Sequence, residues 1–240
     1  MIIKTKNESE LIDELAKLIN DKSEEAITKN GSFKVGVSGG SLVKFLSVAL
    51  QNVKSDLSKW IVFFCDERMV PSDSEDSTFG AYKKELKGKV NLNDDQFVQI
   101  MQGVTVEAAA EDYAKKLMKH FGEVSLPKFD MLMLGMGPDG HTCSLFPGHK
   151  LLEETEAWVA PIGDSPKPPP ERITLTFPVI NNAGCVVFAM AGASKAEMLR
   201  RILVEKEDLP ATRVELSEGE VVWIVDTEAG KYLPPDHFTK

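Results

Sequence analysis

What this chain has little of narrows its function first. It holds three cysteines in 240 residues, Cys65, Cys143 and Cys185. Their number is odd and their spacing is not that of metal ligands. This argues against a disulfide framework or a structural zinc site and suits free thiols in a reducing cytosol. Basic residues are outnumbered, 28 Lys and Arg against 37 Asp and Glu, and no basic tract offsets the net charge of −9. A nucleic-acid partner is therefore not expected. No apolar run is long enough to span a bilayer, and the N-terminus carries no signal-peptide core. No membrane partner is expected either, and the chain is assigned to the cytoplasm. Without an internal repeat or a composition break, residues 1–240 read as one domain.

What is present alternates between two periodicities. Leu11, Ile12, Leu15, Leu18 and Ile19 recur at helical spacing, so 8–29 is expected to be a helix stopped by Asn30-Gly31. Further helices are expected over 42–50, 77–86 and 105–121, and in a segment ending at Leu203. In the helix over 105–121, Glu107, Glu111 and Lys115 mark a solvated face. Short apolar runs at 33–37, 60–65, 97–100, 129–134, 157–162, 173–177, 185–190 and 221–225 have strand length. Unbroken rather than alternating apolar character suits strands covered on both faces. Helices and strands in this succession predict an α/β, Rossmann-like, doubly wound and mostly parallel sheet with helices on both faces.

The central stretch is 129–149, FDMLMLGMGPDGHTCSLFPGH. A buried strand breaks there into a glycine-rich turn that carries Asp139 and His141 two residues apart. The run Gly135 to Gly140 fits the dinucleotide pattern G-x-G-x-x-G, but Pro138 stiffens the turn and no second strand with an acidic end follows at the required distance. No organic cofactor is expected. Asp139, His141 and His149 form no recognisable ligand set, so no metal is expected. Cys143 lies close enough to His141 in sequence to be weighed as a nucleophile, although a small buried thiol is the simpler reading. His120 and His237 read as incidental, and Trp60, Trp158 and Trp223 as packing.

Three other strands end in similarly equipped loops. Ser38-Gly39-Gly40-Ser41 lies between a strand and a helix start, a geometry ready for phosphate or simply a tight turn that needs glycine. Asp66-Glu67-Arg68 follows a buried strand directly and is either part of a site or an ion-paired loop. Ser194 and Glu197 have capping-box spacing, which puts Lys195 in the first turn of a helix. Ser165 to Pro170, SPKPPP, reads as a stiff extended connector leading to Arg172. In a parallel sheet such strand ends lie together. Arg68, Arg172, Lys195 and backbone amides would then face Asp139 and His141 in a locally positive pocket for a small phosphorylated substrate.

SGGS, FFCDERMVP, MLMLGMGPDGHTCSLFPGH, DSPKPPPERITLT and GASK, in this order over essentially the whole chain, closely resemble the 6-phosphogluconolactonase family of eukaryotic type. The resemblance implies hydrolysis of the lactone of 6-phosphogluconate, the second step of the oxidative pentose phosphate pathway, on a fold shared with glucosamine-6-phosphate deaminases. It implies His141 as catalytic base assisted by Asp139. Ser38, Gly39, Gly40, Arg68, Arg172 and Lys195 would contact the sugar phosphate, with Ser41 and Asp66 beside them, and Arg68 or turn amides would face an oxyanion. The expected partner is a sugar-phosphate lactone, and a monomer is expected. Two rivals stay open: an amino-sugar-phosphate isomerase or deaminase, and a non-catalytic sugar-phosphate-binding protein. The deaminase pattern places a glutamate five residues after this histidine, where Phe146 stands here.

Overall fold

A computed structural model describes residues 1–239. Its strands are β1 (Ile2–Thr5), β2 (Phe33–Val37), β3 (Trp60–Phe64), β4 (Asp66–Arg68), β5 (Phe97–Val98), β6 (Met131–Leu134), β7 (Val159–Ile162), β8 (Arg172–Leu175), β9 (Cys185–Met190) and β10 (Glu220–Asp226). Seven of them form one sheet in the order β1-β10-β9-β6-β2-β3-β5, every pairing parallel. The chain builds outward from β2 through β3 to β5 on one side, and from β6 through β9 to β10 on the other. The order therefore reverses between β2 and β6, which pair in register Val35 with Met131 and Val37 with Met133. Such a switch point opens a crevice at the carboxyl ends of its two strands.

Both faces of this sheet are buried, and the side chains alternate between two cores. Leu132 and Leu134 of β6 enter one, and Met131 and Met133 the other. Phe63 is likewise separated from Val62 and Phe64. This double coverage is why the strands read as continuous apolar runs. Helices α1 (Glu8–Asn30), α2 (Ser41–Ala49) and α3 (Thr78–Leu86) supply one core. Helices α4 (Val106–Phe121) and α6 (Ala196–Leu203) supply the other, along with the one-turn α5 (Phe177–Ile180). Caps set the helix ends. The Asn7 side chain accepts the Glu10 N–H at 3.0 Å, and Gly31, at φ 76°, donates its N–H to the Ile27 carbonyl. Helix α4 buries Val106, Ala109, Ala110, Tyr113 and Leu117 and leaves Glu107, Glu111 and Lys115 exposed.

Several expectations are corrected. Asp66–Arg68 is not a loop: it is β4, the edge of a second, antiparallel sheet ordered β4-β8-β7. The chain leaves the parallel sheet at Cys65, whose carbonyl accepts the Leu175 N–H at 2.8 Å, and continues straight into the new pairing. The Ser194–Glu197 capping box does not form. Glu197 pairs instead with Arg200, Ala193–Lys195 makes a 3-10 turn, and Lys195 caps α6 without a side-chain bond. The connector 165–170 is folded rather than extended, since the Ser165 N–H reaches back to the Pro170 carbonyl at 3.2 Å. Strand β1 lies at the sheet edge, and its four residues carried no pattern strong enough to read.

Close packing at the switch point is testable. A Cβ on Gly36 of β2 would lie 2.5 Å from Leu132 Cδ2 and 3.0 Å from Cys65 Sγ, closer than side-chain atoms approach. Gly36→Val is expected to lower stability by roughly 1–3 kcal/mol through overpacking. Urea unfolding measures this, and an unchanged midpoint contradicts it.

Candidate active site

The turn after β6 is built around its histidine. Gly137 donates its N–H to the His141 carbonyl at 2.9 Å, and the Gly140 N–H returns to the Gly137 carbonyl at 3.1 Å. The imidazole lies against the Gly137 α-carbon: a Cβ there would fall 2.0 Å from His141 Nδ1 and Cε1. Any side chain at 137 would expel the ring. No helix begins within these glycines, because the chain continues through turns to a bridge between Thr142 and Leu145. The dinucleotide pattern is thus met in letters and not in geometry.

Asp139 Oδ1 sits 2.5 Å from His141 Nδ1. Partial burial pushes the Asp139 carboxyl up, but contact with His141 and Lys167 outweighs it and holds the group down at about 2. An ionised carboxylate only accepts, so the short contact assigns the ring proton to Nδ1 and leaves the Nε2 lone pair open. Nε2 has no protein partner among the described residues. Burial lowers the proton affinity of the imidazole, Asp139 raises it, Lys167 lowers it and Asp66 raises it, with a net downward shift. Phe146 packs against the ring, centroids 4.7 Å apart, and keeps water from that side.

The turn opens on a cavity of about 180 Å³. Ser38, Gly39, Gly40, Ser41, Asp66, Arg68, His141, Arg172 and Lys195 all line it. Asp139 does not, because it stands behind the imidazole. At the end of β2, Gly40 takes φ 73° to turn the chain into α2, whose first amides lack a side-chain cap. Ser38 is buried, and its Oγ has no hydrogen-bond partner among the described residues. A free hydroxyl beside uncapped helix amides is a ready anion seat.

The three charges of β4 divide. Asp66 accepts the hydroxyl of buried Ser144 at 2.8 Å. Glu67, 2% exposed, faces away from the cavity and accepts the N–H groups of Thr78 and Phe79 at 2.8 Å, which anchors α3. Arg68 donates through Nη1 to the Asp76 carbonyl at 2.9 Å, and its Nε is buried without a partner. Lys195 Nζ donates to the Met136 carbonyl at 2.8 Å, and burial followed by the Lys167 charge lowers its pKa.

Arg172 is less free than the sequence suggested. Its Nε donates to the Pro169 carbonyl at 2.9 Å, and Nη2 to those of Lys167 and Pro168 at 3.0 and 3.1 Å. The guanidinium gathers the proline-rich loop, which contains a cis Pro168–Pro169 bond, and faces the cavity with what remains. Two participants escaped the sequence reading. Ser144 gave no signal beyond lying inside the motif. Lys167, hidden in the prolines, places Nζ 3.1 Å from Asp139 Oδ1 and 3.2 Å from His141 Nδ1. Cys143 lines the cavity, but contact with the Cys65 thiol and burial push its own thiol well above the ordinary range. A protonated thiol is a poor nucleophile. His149 pairs with Asp164 at 3.0 Å, and no group of three or more His, Cys, Asp or Glu among the described residues is arranged to hold a metal.

The family model described as glucosamine-6-phosphate isomerases/6-phosphogluconolactonase matches residues 6–223, nearly the whole chain. The chain belongs to this family. Within the glucosamine-6-phosphate isomerase/6-phosphogluconolactonase family it is 47% identical over 231 residues to the rat (Rattus norvegicus) 6-phosphogluconolactonase, covering 93% of this chain and 90% of that one. The 6-phosphogluconolactonase of Trypanosoma cruzi superposes with a TM-score of 0.82 at 27% identity, over 97% of this chain and 96% of that one. A monomeric glucosamine-6-phosphate deaminase superposes at 0.74 with 19% identity, over 96% and 98%, a likeness of fold alone.

The grip of Arg172 on its loop generates a stability expectation. Hydrogen bonds to charged groups contribute about 1.5–3 kcal/mol, so Arg172→Met is expected to lower unfolding stability by at least that much. Chemical denaturation checks it, and wild-type stability would mean the loop holds itself.

Proposed function

We propose that this chain hydrolyses 6-phospho-D-glucono-1,5-lactone to 6-phospho-D-gluconate, with His141 as general base. The 6-phosphogluconolactonase relatives support the reaction, and their name implies a place in the oxidative pentose phosphate pathway. The observation that carries the mechanism is the Asp139–His141 pair presenting an open Nε2 to a cavity ringed by cations.

His141 Nε2 takes a proton from a water as its oxygen adds to the lactone carbonyl carbon. Negative charge develops on the carbonyl oxygen, where Arg68 or turn amides stabilise it. Collapse breaks the bond to the ring oxygen, and the imidazolium returns its proton to that oxygen. Asp139, ionised throughout, orients the ring and stabilises its charged form. The phosphate occupies the seat made by Ser38 Oγ and the first amides of α2, with Ser41 at the helix start and Lys195 nearby. Asp66 orients substrate hydroxyls. The constellation is complete within one chain. The three buried, unpaired thiols support a reducing compartment, the cytoplasm. No helix among the described residues is long and apolar enough to cross a membrane.

One observation separates this reading from the amino-sugar deaminase. Phe146, 1% exposed, packs on the imidazole where the deaminase pattern has its glutamate. Phenylalanine cannot relay a proton for ring opening, whereas ester hydrolysis can be served by His141 alone. His141→Asn is expected to cut turnover of fresh lactone by about 100- to 10,000-fold, measured as proton release above the spontaneous rate. No ammonia is expected from glucosamine 6-phosphate. Ordinary lactone turnover in the variant removes His141 from the mechanism, and ammonia production abolished by the same substitution would make the chain a deaminase.

A further inference from the structure

Between the proline-rich loop and the catalytic turn lies a contact that the hydrolysis scheme above does not use. Lys167 is clamped at both ends of its peptide. Its N–H donates to Ser165 Oγ at 3.3 Å, and its carbonyl accepts from Ser165 Oγ at 2.9 Å and Arg172 Nη2 at 3.0 Å. With the backbone fixed, the side chain crosses to the opposite wall, donates to Asp139 Oδ1 at 3.1 Å and lies 3.2 Å from His141 Nδ1.

We propose that Lys167 is a positioning residue for the lactone hydrolysis, holding Asp139 as the ionised acceptor beside Nδ1 of His141 and opposing protonation of the imidazole. This rests on the reading of His141 as general base. An ammonium group carries three donors and no acceptor. It can donate to Asp139 Oδ1, but it can take nothing from the ring proton on Nδ1, which is directed to the same carboxylate oxygen. Its charge therefore holds Asp139 ionised and opposes a second proton on the imidazole. Asp139 alone would do the reverse to the ring, because a carboxylate beside a histidine favours the imidazolium. Burial does most to keep the ring neutral against the pull of Asp139, and the Lys167 charge adds to it in the same direction, so the base stays neutral without losing its orienting partner.

The other charges around the ring do not substitute for Lys167. Asp66, from β4, acts in the same direction as Asp139. Arg172, from β8, lies over the Phe146 ring, 5.7 Å from its centroid, and donates to the carbonyls of its own loop. Arg68 and Lys195 line the cavity that the substrate occupies. Among the described residues Lys167 is the cation that approaches Nδ1, at 3.2 Å.

The sign of the effect follows. His141 acts as base only when neutral, so turnover falls as pH falls through its pKa. Removing the opposing charge raises that pKa and moves the acid limb to higher pH. The test is turnover at saturating lactone between pH 5 and 8, above the spontaneous background, for wild type, Lys167→Met, Lys167→Gln and Lys167→Arg. The substrate's own phosphate titrates in this range equally for every variant, so the readout is the displacement between them.

Both neutral variants are expected to shift the acid limb upward by about half to one pH unit, a three- to tenfold loss on that limb. Lys167→Arg restores the charge and is expected to restore the wild-type limb. A neutral variant with an unmoved limb overturns the proposal, as does a uniform loss at every pH that Lys167→Arg fails to rescue, which would be a structural role. His141→Asn run alongside reports on the general-base reading separately: full turnover there sinks both, whereas an inactive His141→Asn with an unmoved Lys167→Met limb sinks the lysine alone.

Discussion

The site depends on one contact, Asp139 against Nδ1 of His141, made over a glycine that has no side chain to interfere. A histidine offered to a cavity with neither nitrogen assigned is equally a donor and an acceptor. The carboxylate removes that ambiguity. Gly137 lets the imidazole approach the backbone, Gly140 at φ 79° closes the turn, and Phe146 covers the ring face. Each of these would be an odd choice for a plain loop between two strands. Together they hold an aromatic ring in one orientation at the edge of a solvent-filled crevice.

The rest of the fold supplies charge at that point without supplying it to the protein as a whole. The molecule carries a net charge of −9, yet Arg68, Arg172, Lys195 and Lys167 converge at the carboxyl ends of the strands. Like charges this close repel, and the structure answers with neutral acceptors. Arg172 donates to three loop carbonyls, Lys195 to the Met136 carbonyl and Arg68, through Nη1, to that of Asp76, whereas Lys167 meets the Asp139 carboxylate. Carbonyl partners hold a cation in place and leave its charge available to an anion, whereas a carboxylate partner would cancel it. Asp66 and Asp139 are the carboxylates closest to the centre, and each has its own hydrogen-bond donor, Ser144 and His141.

Much of this was legible in the sequence, for identifiable reasons. The parallel sheet showed itself because strands buried on both faces lose their alternation, as in Met131 to Leu134. The cavity-lining residues could be named because four strand ends carried polar residues where a structural turn needs none. What stayed hidden was non-local. The second sheet pairs Asp66–Arg68 with Arg172–Leu175 across about a hundred residues, and three charged letters do not announce a strand. The fate of Glu67 and that of Asp66 could not be told apart, because a one-residue step in a strand sends one side chain to α3 and the next to the cavity. Lys167 was masked by its prolines, which read as stiffness, while the fold uses their carbonyls to grip Arg172.

General-base action by His141 requires its proton on one particular ring nitrogen in the resting protein. Nitrogen-15 NMR of the histidine side chains, assigned by comparison with a protein lacking His141, reads this directly. The neutral imidazole is expected to carry its proton on Nδ1, with Nε2 resonating as a bare nitrogen. A proton on Nε2 in the neutral ring would leave no lone pair facing the cavity and would contradict the account.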